Sequence, residues 1–270
     1  MTRNERTLPI PDGVDFLRSL RDANAQCERQ TDDYLDRERR NGSITTHEDL
    51  GTLVSLLDRA GSCFWGCHGG DHSPEHLVMR CCTYAISSFW LACSGAYDES
   101  VALARIVGEI TNVATLFTLK PGTLTEWATA DERTRREKYC PVNVRRSLEA
   151  EQFPAPVGRE NYALLSVKGI HLTPGMPPGM YNADRQPKLY QFQDLGLLFC
   201  LAEISFPLSI LGLCTIVEPN PLMNLDAAPR QRIADAAKKL RRSLPELWRR
   251  VNDVFPTYPD RVADPWPDLP

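Results

Sequence analysis

Proline is spread so unevenly along this chain that it fixes where long helices can run. Only Pro74 falls between residues 12 and 120, whereas 18 of the 21 prolines lie beyond residue 120. A proline inside a helix removes one hydrogen bond and crowds the preceding turn; inside a central strand it removes a ladder bond. The first half can therefore hold long uninterrupted elements, and the second half must be cut into shorter ones.

Apolar spacing makes those elements helices. Val14, Leu17, Leu20, Cys27 and Tyr34 recur at helical intervals in a run that ends near Asn41-Gly42. Thr45 followed by Glu48 reads as a capping box that opens a second helix carrying Leu50, Leu53, Val54 and Leu57. Ser73-Pro74-Glu75 reads as an N-cap, a first-turn proline and an acid at the positive end of a third helix, which stops around Gly95. A fourth runs from about Asp98 to Leu119, where Pro121-Gly122 halts it. Thr123 and Glu126 are expected to cap a further helix reaching about Tyr139. Shorter pieces follow at Val142–Glu151 and Glu160–Lys168, then an irregular stretch from Thr173 to Pro187. A long apolar helix covers Leu195–Val217, and the last has Ile233, Ala237, Leu240, Leu244, Leu247, Val251 and Phe255 in register, bent or broken near Pro245. No alternating strand and no internal repeat is visible. The expected architecture is all-α: a helical bundle over residues 1–218 and a C-terminal helical extension, 219–270, packed on it.

The expected compartment is the cytoplasm. Met1 to Asp12 is charged and contains two prolines, with no apolar core for a secretory leader. The nine cysteines are an odd number in a 270-residue chain that needs no disulfide framework, so reduced, mostly buried thiols are expected. Leu195–Val217 is long enough to span a bilayer, but Glu203 sits near its middle, where an acid costs roughly 2.5–3.5 kcal/mol, and Pro207 interrupts it. The reading is the core helix of a soluble bundle, with no membrane partner.

The fourth helix is the most unusual. It is apolar nearly all round, yet Arg105, Glu109 and Asn112 form one polar stripe at i, i+4 and i+7. A buried charge costs several kcal/mol unless paired, and this spacing permits pairing. Gly108 within the same helix implies close approach of another backbone or a ligand. Two readings stay open: a buried ion pair that fixes register, or a polar pocket in the bundle core. His171, at a helix end leading into the Pro/Gly loop, is a candidate for the same pocket.

Three other groupings carry chemistry. Cys63, Cys67, His72 and His76 flank Gly69-Gly70 and offer the mixed N/S ligation that Zn²⁺ accepts, although no CxxC pair is present. Local thiol packing and helix-start histidines are the preferred reading; no metal is assigned and no cofactor is expected. Arg40 and His47 form an arginine–histidine pair of the kind that can cleave RNA without metal, against which stands a solvated loop. From Arg230 to Arg250 eight bases face two acids, +6 locally within a chain of net charge −4. That run either meets phosphates or is the wet face of a helix, the second being preferred.

The segment from Cys67 to Phe117 resembles a set of uncharacterised bacterial helical proteins. The shared features are Gly95, Tyr97 and Glu99 followed by Arg105 and Glu109, and later Tyr162, Leu165 and Ser166 followed by His171, the last interval being one residue longer than in the pattern. The likeness covers about residues 65 to 215. That set is in turn similar to HEPN-type helical bundles, a group that includes ribonucleases and nucleotide- or RNA-binding toxins. The resemblance implies an all-α bundle with Arg105, Glu109, Tyr162 and His171 in a shared polar site; it implies no reaction. The HEPN Arg/His pair is not in its expected place, because Arg40 and His47 lie outside the resembling region.

The functional expectation is therefore an intracellular binding or interaction module built round a polar pocket of Arg105, Glu109, Asn112, Tyr162 and His171. No residue is assigned as catalytic. The alternatives are a metal-independent HEPN-like ribonuclease or toxin component, and a zinc-stabilised structural protein. RNA, a nucleotide or a second copy of the chain are compatible partners.

Overall fold

The computed structural model describes residues 12–66, 72–170, 190–218 and 222–252. Ten helices and no strand occur among them, so the fold is an all-α bundle. The long helices come first: α1 (Gly13–Arg40), α2 (Thr46–Gly61), α3 (Ser73–Cys93) and α4 (Tyr97–Leu119). Short ones follow: α5 (Gly122–Thr129), α6 (Glu132–Lys138), α7 (Pro141–Ala150) and α8 (Arg159–Gly169). The chain closes with α9 (Asp194–Cys214) and α10 (Ala227–Asn252). The irregular stretch expected at 173–187 lies outside the described residues.

Several helix ends differ from the sequence expectation. Thr45 is the N-cap of α2, but no capping box forms, because its hydroxyl donates to the buried Asp49 carboxylate at 3.2 Å. His72, not Ser73, caps α3; it has φ 53°, which makes Ser73 the first helical residue. The single helix expected over 123–139 is two. Ala130 is extended, and the Asp131 carboxylate accepts the Thr134 N–H at 2.7 Å, so a strong cap restarts the helix there. Gly95 ends α3 at φ +83°, where the Ala96 N–H reaches back to the Leu91 carbonyl at 2.8 Å.

The bundle is built round α9. Every residue from Gly196 to Cys214 is buried, against α10, α4, α3 and α2. By length and composition alone both α4 and α9 are apolar enough to cross a membrane; here the apolar window of α9 is wholly enclosed and that of α4 is 56% buried. Pro207 does not interrupt α9, which runs through it with neighbours enclosing the helix on all sides; the Pro207 carbonyl also accepts the Thr111 hydroxyl at 3.3 Å. Nor is α10 broken at Pro245. It is continuous, because the fully buried stripe of Ile233, Ala237, Leu240, Leu244, Leu247 and Val251 holds both halves on α9 and α2.

At least four of the eight bases of the run on α10 are tied to carboxylates. Arg230 pairs with Glu218, Lys239 with Asp49 at 2.8 Å, Arg249 with Glu246 at 2.7 Å, and Arg250 with both Glu38 and Glu246 at 2.9 Å. Such pairing fits the wet face of a helix better than a phosphate-binding strip.

Candidate functional site

The polar stripe of α4 splits between two duties. Asn112 is buried, and both ends of its amide are taken by the Val157 backbone: Nδ2 donates to the carbonyl at 3.0 Å, and Oδ1 accepts the N–H at 2.9 Å. Gly108, one turn earlier, explains the close approach. A Cβ there would lie 2.4 Å from Val157 Cγ2, so the glycine exists to admit Val157. The 154–157 strap, which carries Pro154 and Pro156 and is not itself helical, docks on α4 through this pair.

Arg105 and Glu109 form the expected ion pair at 2.9 Å, with side chains 15% and 27% exposed. Arg105 also donates to the Tyr162 hydroxyl, and its guanidinium carbon lies 4.2 Å from the Tyr162 ring centroid. Arg145 of α7, which is buried, approaches the same ring at 4.4 Å. Guanidinium over an aromatic face is attractive, more so away from water. Arg105, Glu109 and Tyr162 are thus brought together as the resemblance implied, and Arg145 joins them. His171 lies outside the described residues.

Glu109 and Asn112 also border a cavity of about 520 Å³. Its opposite wall is one face of α3, where Ser73, His76, Leu77 and Arg80 recur at i, i+3, i+4 and i+7. Trp127 and Tyr139 supply aromatic surface. Both rings rest against the fully buried Phe117, at centroid distances of 5.6 and 6.1 Å, and the Tyr139 hydroxyl donates to the Thr123 carbonyl at 3.1 Å. Burial, with Glu126 nearby, raises the Tyr139 phenol above its usual range, so it stays a donor at neutral pH. Ile110, Val113 and Val144 complete an apolar lining with a few polar groups, the usual composition of a small-molecule site.

His76, Arg80, Trp127 and Tyr139 are cavity residues that the sequence reading did not single out for it. The signal was the 73/76/77/80 face of α3, polar at Ser73, His76 and Arg80, but nothing in one sequence says that this face meets the 109/112 face of α4.

Of the thiol–imidazole grouping, for which local packing and helix-start histidines are the preferred expectation, the described members divide. His76 turns to the cavity, with its ring 6.2 Å from that of His72, and Cys67 lies outside the described residues. Cys63 and His72 do meet, Sγ to Nδ1 at 3.4 Å. Arg40 is exposed and donates to the Asp36 carbonyl of its own helix, while His47 is half-buried and desolvation lowers its pKa. No hydrogen bond links the two.

Comparison of the chain with family models, curated proteins and solved structures gives no match.

Proposed function

We propose that this protein is a soluble intracellular binding module whose ligand occupies the cavity between α3, α4 and the α5–α7 segment. The observation that carries this reading is the wall itself: a carboxylate held by Arg105 stands in one cavity with two aromatic rings braced from behind by Phe117. Glu109 is suited to accept N–H groups of a planar heterocycle lying on Trp127 or Tyr139. His76 and Arg80, across the cavity, are suited to an anionic group. A planar base bearing an anion is the chemistry of a nucleotide, and about 520 Å³ is ample for one. The resemblance to HEPN-type bundles supports the same class of ligand. The ribonuclease reading has less behind it, since Arg40 and His47 are not joined.

Isothermal titration of the full chain with a panel of purine and pyrimidine mono- and triphosphates tests the proposal. At least one nucleotide should bind, and Glu109→Gln should weaken it about tenfold, the order expected for losing a charge-assisted hydrogen bond. Trp127→Ala should weaken it as well. No binding across the panel, or unchanged affinity in Glu109→Gln, would overturn it.

A further inference from the structure

Where α2 ends and α3 begins, the chain brings three different donor atoms to one point. Gly61, the last residue of α2, packs against the first two turns of α3: a Cβ there would lie 2.6 Å from Met79 Cγ and 3.2 Å from the Glu75 carbonyl. That approach delivers the turn after α2, and with it Cys63, to the side of Glu75. Cys63 and His72 both have left-handed backbones, at φ 58° and 53°, although neither is glycine. Such conformations persist where surrounding structure over-determines them. The result is that Cys63 Sγ, a ring nitrogen of His72 and a carboxylate oxygen of Glu75 all lie within 4.8 Å of one another, with Glu75 buried.

We infer that Cys63, His72 and Glu75 supply three ligands of a metal site of the Zn²⁺ type, the fourth position falling to water, and that the ion pins the end of α2 to the start of α3. The geometry agrees with the chemistry. A tetrahedral ion with Zn–S of about 2.3 Å and Zn–N of about 2.0–2.1 Å sets its sulfur and nitrogen ligands roughly 3.5 Å apart, and Cys63 Sγ stands 3.4 Å from His72 Nδ1. A thiolate, a neutral imidazole and a carboxylate are a donor set that zinc accepts and that the harder Mg²⁺ and Ca²⁺ do not select. Thiolate and carboxylate together bring two negative charges, which a divalent cation neutralises in full. This set differs from the one the sequence pointed to, because Glu75 takes the place that spacing alone gave to His76. It is independent of the cavity proposal, yet bears on it: an ion here fixes the first turn of α3, from which Ser73 and His76 face the cavity.

The test is titration of chelator-treated full-length protein with Co²⁺. A thiolate-to-cobalt charge-transfer band and visible d–d bands should saturate at one ion per chain and vanish when Zn²⁺ is added. Cys63→Ser, which keeps size and polarity, should lose the charge-transfer band. His72→Ala and Glu75→Gln should each weaken Co²⁺ at least tenfold, with helicity by circular dichroism unchanged, and Cys140→Ser should leave the band intact. Absence of the band in the wild-type chain, or its persistence in Cys63→Ser, overturns the site. Rapid alkylation of Cys63 in a wild-type chain that gives no band would also overturn it, marking instead a simple thiolate–imidazolium pair.

Discussion

Asn112 and Val157 clasp each other: one side-chain amide closes two hydrogen bonds on the backbone N–H and C=O of one residue, at 2.9 and 3.0 Å, inside the protein. Where a strap of coil crosses a buried helix, its backbone groups must be paired by something, and here a side chain of α4 does the pairing.

Asn112→Ala should therefore destabilise the fold by roughly 1–3 kcal/mol for each backbone group left unmade. Urea unfolding followed by circular dichroism checks this, and a midpoint equal to wild type would contradict the clamp.

Gly108→Ala offers a contest of signs. Alanine gains about 1 kcal/mol of helix propensity, but its methyl group would meet Val157 Cγ2 at 2.4 Å. Overpacking typically costs about 1–3 kcal/mol, so the net effect should be destabilising. Adding Val157→Ala should relieve much of the clash, giving a non-additive double-mutant cycle of order 1 kcal/mol.

Glu246 gives the fold an acid-sensitive contact. Hydrogen bonds from Arg249 and Arg250 depress its carboxyl to about 2 from an ordinary 4.5. A depressed carboxyl stabilises the folded chain above its unfolded pKa, and that contribution is lost as pH falls from about 4.5 towards 2. The side chain is 36% exposed, so the effect should be modest and weaken with salt. In Glu246→Gln, stability measured between pH 7 and 3 should fall less steeply than in wild type.

Alkylation of the native chain should divide the thiols sharply. Cys82 and Cys93 are pushed up by burial to about 12 and Cys214 to about 11; burial raises Cys81 and Cys200 as well. Little thiolate exists there at neutral pH, so these five should react with iodoacetamide only after unfolding. Peptide mass spectrometry of pulse-labelled protein would show early modification at any of them as a contradiction.

The fold class was legible because proline spacing and apolar periodicity are local signals, and the long first-half helices lie where those signals put them. Local chemistry was less reliable. The Thr45–Glu48 capping box gave way to the buried Asp49, a competitor whose burial depends on α10. The Arg105–Glu109 pair could be read from an i, i+4 interval. The use of Asn112 as a clamp could not, since Val157 is 45 residues away and marked by no motif. Gly108 was correctly flagged as a close approach, but its partner is a valine side chain rather than a ligand or a backbone. The cavity needed two helix faces to be matched across space, which one sequence does not encode.

The enclosure of α9 has a consequence for how the protein comes to be made. Its nineteen-residue greasy stretch from Gly196 to Cys214 finds cover partly from α10, which leaves the ribosome after it. Until that later helix emerges, Phe206 lacks the Trp248 ring that packs against it in the fold, and Gly212 lacks Ala237. Synthesis therefore passes through a vulnerable interval, and a stop codon ahead of residue 227 would make that interval permanent.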